Sequence, residues 1–457
     1  IPSIKLGRGN NSGYRLNVDG LAGKSFENID ILAQDSIFVF IETTENIDSI
    51  PSPIYIDEIL FDTGINEQKV NLVTLVQDAI FLYPNKNENG FIETLMLDSI
   101  QTEIKGFYIE DSLLTFTNEK PYVIYGYAAV GTYNNDPNNP KTLTIQPGAK
   151  VHFHANSGLI INPFSSLHIN GSLNIEGQPE TEVTIQGDRL EPYFENTAGQ
   201  WGVIWFRSTT KGNQIISSKN NIINYATIKN GSVGLLVDGY TDENTPVLEI
   251  KNSQFYNHSV YGLYAIHSNI KGMNLVFNNF GSSAFVGLQG GVYDFTHCTF
   301  ANYWSGTRSF PTVYLNNFYK DKNEIYYPFN LNKADFTNCI IYGSNNIEMK
   351  LEKVDAGNFN YLFTNNLIRF NDVGNNYTNN PLYNFNDATH FVGNLFNQNP
   401  DFKNEFVNVN KMWVGNNSAG IGKAVWSNGT ELIQSDILGK TRPNPADLGA
   451  YNSVIFE

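Results

Sequence analysis

A short apolar triplet followed by a turn residue recurs six times between Asn224 and Phe370. The lines are A-T-I-K-N ending at Asn230, S-Q-F-Y-N at Asn257, N-L-V-F-N at Asn278, C-T-F-A-N at Asn302, C-I-I-Y-G at Gly343 and N-L-I-R-F at Phe370. Their endings are 27, 21, 24, 41 and 27 residues apart. A step in the twenties, with one longer step carrying an insertion, marks a solenoid. The last three lines agree further, as D-F-T-H-C-T-F, D-F-T-N-C-I-I and L-F-T-N-N-L-I. Ile228, Phe255, Val276, Phe300, Ile341 and Ile368 are therefore expected to stack as one inward ladder. Phe295, Phe336 and Phe363 should form another, with Cys298 above Cys339. Helical periodicity is absent and turn residues recur, so each rung reads as short strands. The chain is expected to be all-β and to form a parallel β-helix.

Upstream, residues 1–84 read as antiparallel strands at 16–20, 36–42, 54–61 and 69–76. They make most of a β-sandwich, with a strand or two expected before Ile1. Residues 85–118 read as a linker hairpin. The solenoid is expected over 119–457, beginning at Pro121, with the sandwich covering its open first rung.

Composition narrows the partners. Asn occurs 63 times, which suits a fold made of turns because Asn tolerates left-handed backbone. A net charge of −16 argues against nucleic acid as the main partner. The two cysteines align in successive rungs about 4.8 Å apart and are expected as buried free thiols. No apolar run is long enough for a transmembrane segment. Ile1 falls in mid-pattern, so an export signal is expected upstream.

The closing segment, D-I-L-G-K-T-R-P-N-P-A-D-L-G-A-Y (436–451), resembles the ending of many secreted bacterial right-handed β-helix proteins. Asp436, Gly439, Arg442, Asp447, Leu448, Gly449, Ala450 and Tyr451 carry that match, while Gly422 stands where the family has Asp. The runs K-P-Y-V-I-Y-G-Y, Q-G-D-R-L-E-P-Y, G-Q-W-G and I-N-Y-A-T-I-K-N-G are similar to the β-helix surface lipoproteins of Bacteroidota. That resemblance implies a right-handed parallel β-helix preceded by an immunoglobulin-like β-sandwich. It also implies export and lipid anchoring at the outer membrane, facing the cell surface. In that group D-S-(I/L) triplets accept O-linked glycans, which makes Ser36, Ser49, Ser99 and Ser112 candidate sites.

Carboxylate pairs matter because many β-helices cleave polysaccharides. Asp294 and Asp335 occupy equivalent positions about 5 Å apart, a spacing that suits a retaining pair. The polygalacturonase-like sequences N-T-D, G-H-G and R-I-K are absent, so turn aspartates bonding backbone amides are the preferred reading. His152 and His154 form an H-x-H with no third ligand near in sequence, and read as a surface pair. His297 aligns with Asn338 and Asn365 as a substituted Asn ladder in a bend. No metal or other cofactor and no nucleophile is indicated.

Aromatic residues give the stronger signal. The loop from Tyr193 through Trp201 to Trp205 offers rings for sugars or a protein partner, as does an insertion of nine aromatics from Tyr303 to Phe329. Candidate binding residues in the insertion are Trp304, Arg308, Phe310, Tyr314, Tyr319, Lys320, Tyr326 and Tyr327. Arg308, Lys320 and Lys322 are expected to make a positive patch, and residues 305–328 to be dispensable for the coil. Two functions follow. One is a non-enzymatic surface scaffold docking onto outer-membrane or surface proteins. The other is a polysaccharide-binding or polysaccharide-cleaving protein, which requires an aromatic-floored groove faced by carboxylates.

Overall fold

The computed structural model describes residues 1–43, 54–62, 65–76, 78–240, 242–403, 410–425 and 433–456. It is all-β, and its packing divides it into two units: Ile1–Ala79 with Arg189–Glu195, and Ile80–Asp188 with Asn196–Glu457.

The first unit holds two antiparallel sheets around one core. One sheet runs Ser25–Glu27, Ser3–Leu6, Ile54–Asp62, Glu67–Leu75, and the other Leu21–Gly23, Tyr14–Val18, Val39–Thr43. Alternation along the strands sends Ile4, Leu6, Leu16, Val18, Ile59 and Leu72 inward. Ser3–Leu6 is too short for its alternation to stand out in sequence, yet it pairs on both sides.

The second unit is built on an eleven-stranded parallel sheet whose strands follow chain order from Ile80–Leu82 to Leu395–Phe396. The sheet thus takes in residues well before Pro121. In the segment 85–118, Thr94–Leu97 and Ile100–Tyr108 form a hairpin, and Gly106–Tyr108 pair in parallel with Tyr127–Ala129. Two further parallel ladders run from this region. One passes through Gly158–Ile161, Ile204–Phe206 and Val233–Asp238, the other through Ser166–Asn170, Asn221–Asn224 and Leu248–Lys251. Tyr261–Met273 and Ser283–Thr296 belong to both ladders, and each bends where φ turns positive, at His267 and at Gln289–Gly291.

One apolar cluster draws on all three ladders, including Phe153, Ile228, Leu235, Leu263, Ile250 and Phe336. Phe295, Phe336 and Phe363 lie in register, with ring centroids 5.4 and 4.9 Å apart. Cys298 and Cys339 are buried free thiols, the Cys298 amide donating to Cys339 Sγ at 3.4 Å. Burial, then the neighbouring Cys339, pushes the Cys298 thiol well above its ordinary pKa. The triplet ladder needs one correction. Its members are Ile228, Phe255, Phe277, Phe300, Ile341 and Ile368, because Phe277 and not Val276 pairs with Phe255 and Phe300. Val276 faces the opposite side of the sheet.

Before each of these strands the backbone enters the left-handed region, at Tyr225, Asn252, Asn274, His297, Asn338 and Asn365. Asn tolerates that region and bonds its neighbour: Asn274 Nδ2 donates to Asn252 Oδ1 at 3.0 Å, and Asn338 Nδ2 meets His297 Nε2 at 3.1 Å.

The outer face of the later strands of the eleven-stranded sheet is covered by the closing segment. Val276, Ile340, Leu367 and Tyr256 form a second cluster with Met412, Val414, Leu448, Ala450 and Tyr451. Residues of the family-like ending hold it in place. Arg442 donates to Asn274 Oδ1 at 2.8 Å and to Gly449 O at 3.1 Å. Asp447 accepts from the amides of Gly422 and Ser453, and Asp436 from those of Leu438, Lys440 and Asn452.

Candidate functional site

The outward side of the ladder through Trp205 carries rings in a row, with Trp205 itself packed against the buried cluster of Leu95, Leu97 and Ile160 and Val286 buried between Tyr264 and Tyr314. Because side chains alternate, Leu159, Ile204, Leu235, Leu263, Phe285 and Val313 point into the core. The residues one step along point out: Trp205, Leu236, Tyr264, Val286, Tyr314 and Lys350 in successive strands. Trp205, Leu236, Tyr264 and Tyr314 are half-buried. Trp205 to Tyr264 and Tyr264 to Tyr314 are each two strands, on the order of 10 Å. The Tyr261 ring stacks on Tyr264 at 4.9 Å and 7°.

Polar groups flank both ends of the row. Near Trp205, Arg207 is buried and donates to Asn162 Oδ1 at 2.8 Å and to Asp98 Oδ2 at 2.7 Å. Its Cζ lies 5.3 Å from the Trp205 ring centroid. Among the described residues, Arg207 Nε and Trp205 Nε1 are buried donors without a partner. Asp238 is the neighbour of Arg207 on the next strand. Burial raises its carboxyl pKa against the opposing pull of Arg207 and Ser208. At the far end the Tyr314 hydroxyl donates to Glu352, and Lys350 pairs with Glu352 at 2.6 Å. Burial and then Glu352 push the Tyr314 pKa up. Burial acts to raise Glu352, but the bonds from Lys350 and Tyr314 leave it below its ordinary value.

The expected binding residues separate into three places. Trp205 and Tyr314 share the ring row. Phe310 packs beside Tyr314 at 6.3 Å, and Trp304 is half-buried in the loop before it. Tyr319, Lys320, Tyr326 and Tyr327 sit on an exposed antiparallel hairpin, Phe318–Lys320 with Tyr326–Pro328, where Lys320 pairs with Glu324 at 3.0 Å. Tyr193 is exposed on the segment assigned to the first unit. Trp201 is a correction: it is 1% exposed, its ring lies tilted against Phe153 at 4.8 Å, and it donates to Lys229 O at 2.9 Å. Arg308 is another. Its guanidinium is buried against Glu348 at 2.6 Å, which removes it from any surface patch. Residues 305–328 are not dispensable as a block, since Val313 and Leu315 of the strand Val313–Asn316 lie in the core.

Asp294 and Asp335 do stand in register, but on a strand, with Lys333 Nζ between them at 2.6 and 3.4 Å. The expected backbone-amide bonding gives way to this ion pair. His152 is buried, its Nδ1 3.3 Å from Gly187 O, while His154 Nδ1 meets Asp188 Oδ2 at 2.7 Å. Ser36, Ser99 and Ser112 are exposed; Ser49 lies outside the described residues. Among the described residues no three His, Cys, Asp or Glu side chains are placed to hold a metal ion, and no helix is long and apolar enough to cross a membrane. Tyr264, Asp238 and Glu352 carried no motif; the signal was their shared outward register, visible only once the strands are paired. Comparisons with protein-family models, curated proteins and solved structures give no match.

Proposed function

We propose that this chain is an exported right-handed parallel β-helix preceded by an immunoglobulin-like sandwich, of the Bacteroidota surface-lipoprotein kind, and that its ring row binds polysaccharide. Three parallel ladders sharing one core support the solenoid. The family-like ending and its structural use support the kinship. One observation carries the function: Trp205, Tyr264 and Tyr314 lie on one outward row, with Asp238 and Glu352 on the next. Rings at a two-strand spacing suit the faces of alternate sugars in an extended chain, and flanking carboxylates accept hydroxyl protons. The experiment is retention of the protein on immobilised polysaccharides, with Trp205→Ala, Tyr264→Ala and Tyr314→Ala each compared with wild type. Each substitution is expected to weaken binding about tenfold, or ~1.4 kcal/mol. Equal retention of all three variants would overturn the reading.

Docking onto a surface protein is favoured by a different feature. The hairpin Phe318–Pro328 leaves Tyr319, Ile325, Tyr326 and Tyr327 about half-exposed together, the composition of an interface rather than of a solvated turn.

A further inference from the structure

A separate cavity opens where three strands of the eleven-stranded sheet end. Ile80–Leu82, Tyr122–Ile124 and Lys150–Phe153 lie in register, so the residues that follow, Tyr83, Tyr125 and His154, form a row of rings. Tyr125 and His154 stack at 4.4 Å. Tyr83 lines the same space and, among the described residues, makes no ring contact with Tyr125. The cavity has a volume of about 770 Å³ and is lined mainly by apolar surface. Gly126 belongs to its wall at φ 70°, and a Cβ there would lie 2.9 Å from Lys105 O. A side chain would therefore be both strained and crowded.

The charged side chains that line this cavity are all basic. Lys86 and Lys105 both line it, and among the described residues neither ammonium has a carboxylate partner. Two unneutralised lysines beside one cavity are notable in a chain of net charge −16. His154 Nδ1 is held by Asp188 at 2.7 Å, which fixes the ring and leaves Nε2 for a ligand. Asn85 and Asn156 add amides. A ring face, two cations, one oriented imidazole and two amides match a sugar that carries an anion.

We propose that this cavity is a binding site for a single anionic sugar ring, a carboxylated or sulfated hexose, seated against Tyr125 with its anion between Lys86 and Lys105. None of its residues belongs to the ring row, so the two sites stand or fall separately. The test is titration of the full chain, followed by NMR, with glucuronate, galacturonate and galactose 6-sulfate. Methyl galactoside and inorganic sulfate serve as controls. The acidic sugars are expected to bind at least tenfold more tightly than either control. Lys86→Gln with Lys105→Gln should remove that preference, and both residues are exposed, so the fold tolerates the change. Tyr125→Leu should weaken acidic sugars, while Tyr264→Ala should leave them unchanged. Carboxylated and sulfated sugars distinguish the two sources of charge by their relative affinity. Equal binding of the neutral sugar, equal binding of sulfate alone, or no change in the double-lysine variant would each overturn the proposal.

Discussion

Buried charge shows how a surface-looking residue becomes structural. Arg308 donates to Glu348, Asn302 O and Phe310 O, and Glu348 also accepts from the Thr312 amide and hydroxyl and the Asn345 amide. Both side chains are essentially without solvent contact. Removing one partner strands the other charge, so Arg308→Ala is expected to lower unfolding stability by about 3–5 kcal/mol. Arg308→Met with Glu348→Leu should recover much of that loss, as urea titration would measure. Buried histidines set a pH dependence, and burial lowers the pKa of His267 and His297 as well as those of the two that follow. His152 and His258 are buried and their pKa values fall to about 4, burial being the cause. The unfolded chain then binds more protons than the folded one between about pH 4 and 6.5. Their stabilisation is present above that window and is lost as pH falls through it, by roughly 3 kcal/mol each. His258 Nδ1 accepts from the Gly231 amide at 3.2 Å, so protonation also removes an acceptor. Replacing His258 by Gln should flatten the slope of the urea midpoint between pH 4 and 6.5, with His152, His267 and His297 supplying the remainder; an unchanged slope would refute the assignment.

At the level of elements, the insertion divides into a part the fold needs and a part it does not. Val313–Asn316 pairs on both sides, with Phe285–Gly287 and with Met349–Glu352, whereas Phe318–Pro328 pairs only with itself. Replacing 318–328 by a short Gly-Ser turn is expected to leave far-UV circular dichroism and the thermal midpoint nearly unchanged. Replacing 305–328 should unfold the second unit, since it removes Val313, Leu315 and Arg308 together. Protein capture from native membranes by the shorter deletion, compared with wild type, tests the docking role of the hairpin. The repeats were legible because strand and turn recur together: D-F-T-N-C fixes a core Phe, a left-handed Asn and a buried Cys at once. The register failed at Val276 because Asn278 and Asn279 both look like the turn residue and only pairing chooses between them. The burial of Arg308 was hidden because Glu348 follows 40 residues later. The ring row was half-visible, through Trp205 and Tyr314, because Tyr264 sits in a strand whose outward face has no sequence mark of its own.

For the second unit as a whole, the open question of any stacked sheet is what covers the face turned away from its core. Outward residues of the eleven-stranded sheet change along the row: Thr184, Thr227 and Gln254 are polar, whereas the later strands present Val276, Ile340, Leu367 and Leu395, interrupted only by Thr299, whose hydroxyl accepts from the Ala450 amide at 3.0 Å. The closing segment covers that apolar stretch, and side-chain bonds from Asn274, Asn338 and Asn365 reach it at Ser435 O, Val425 O and Lys423 O. The asparagines that shape the turns thus also fasten the cover. Removing residues 410–457 is expected to leave the inner core intact, since none of its members belongs to the removed segment. Strand circular dichroism should persist, while the uncovered apolar face binds a hydrophobic dye and drives association on size-exclusion chromatography. Arg442→Met offers a milder version, because the guanidinium ties the segment to Asn274 while its length and apolar residues remain. It should raise dye binding less than the truncation does. Adding Val276→Thr, Ile340→Thr and Leu367→Thr to the truncated chain should restore a monomer. A truncated chain that stays monomeric without dye binding would mean that this face needs no cover.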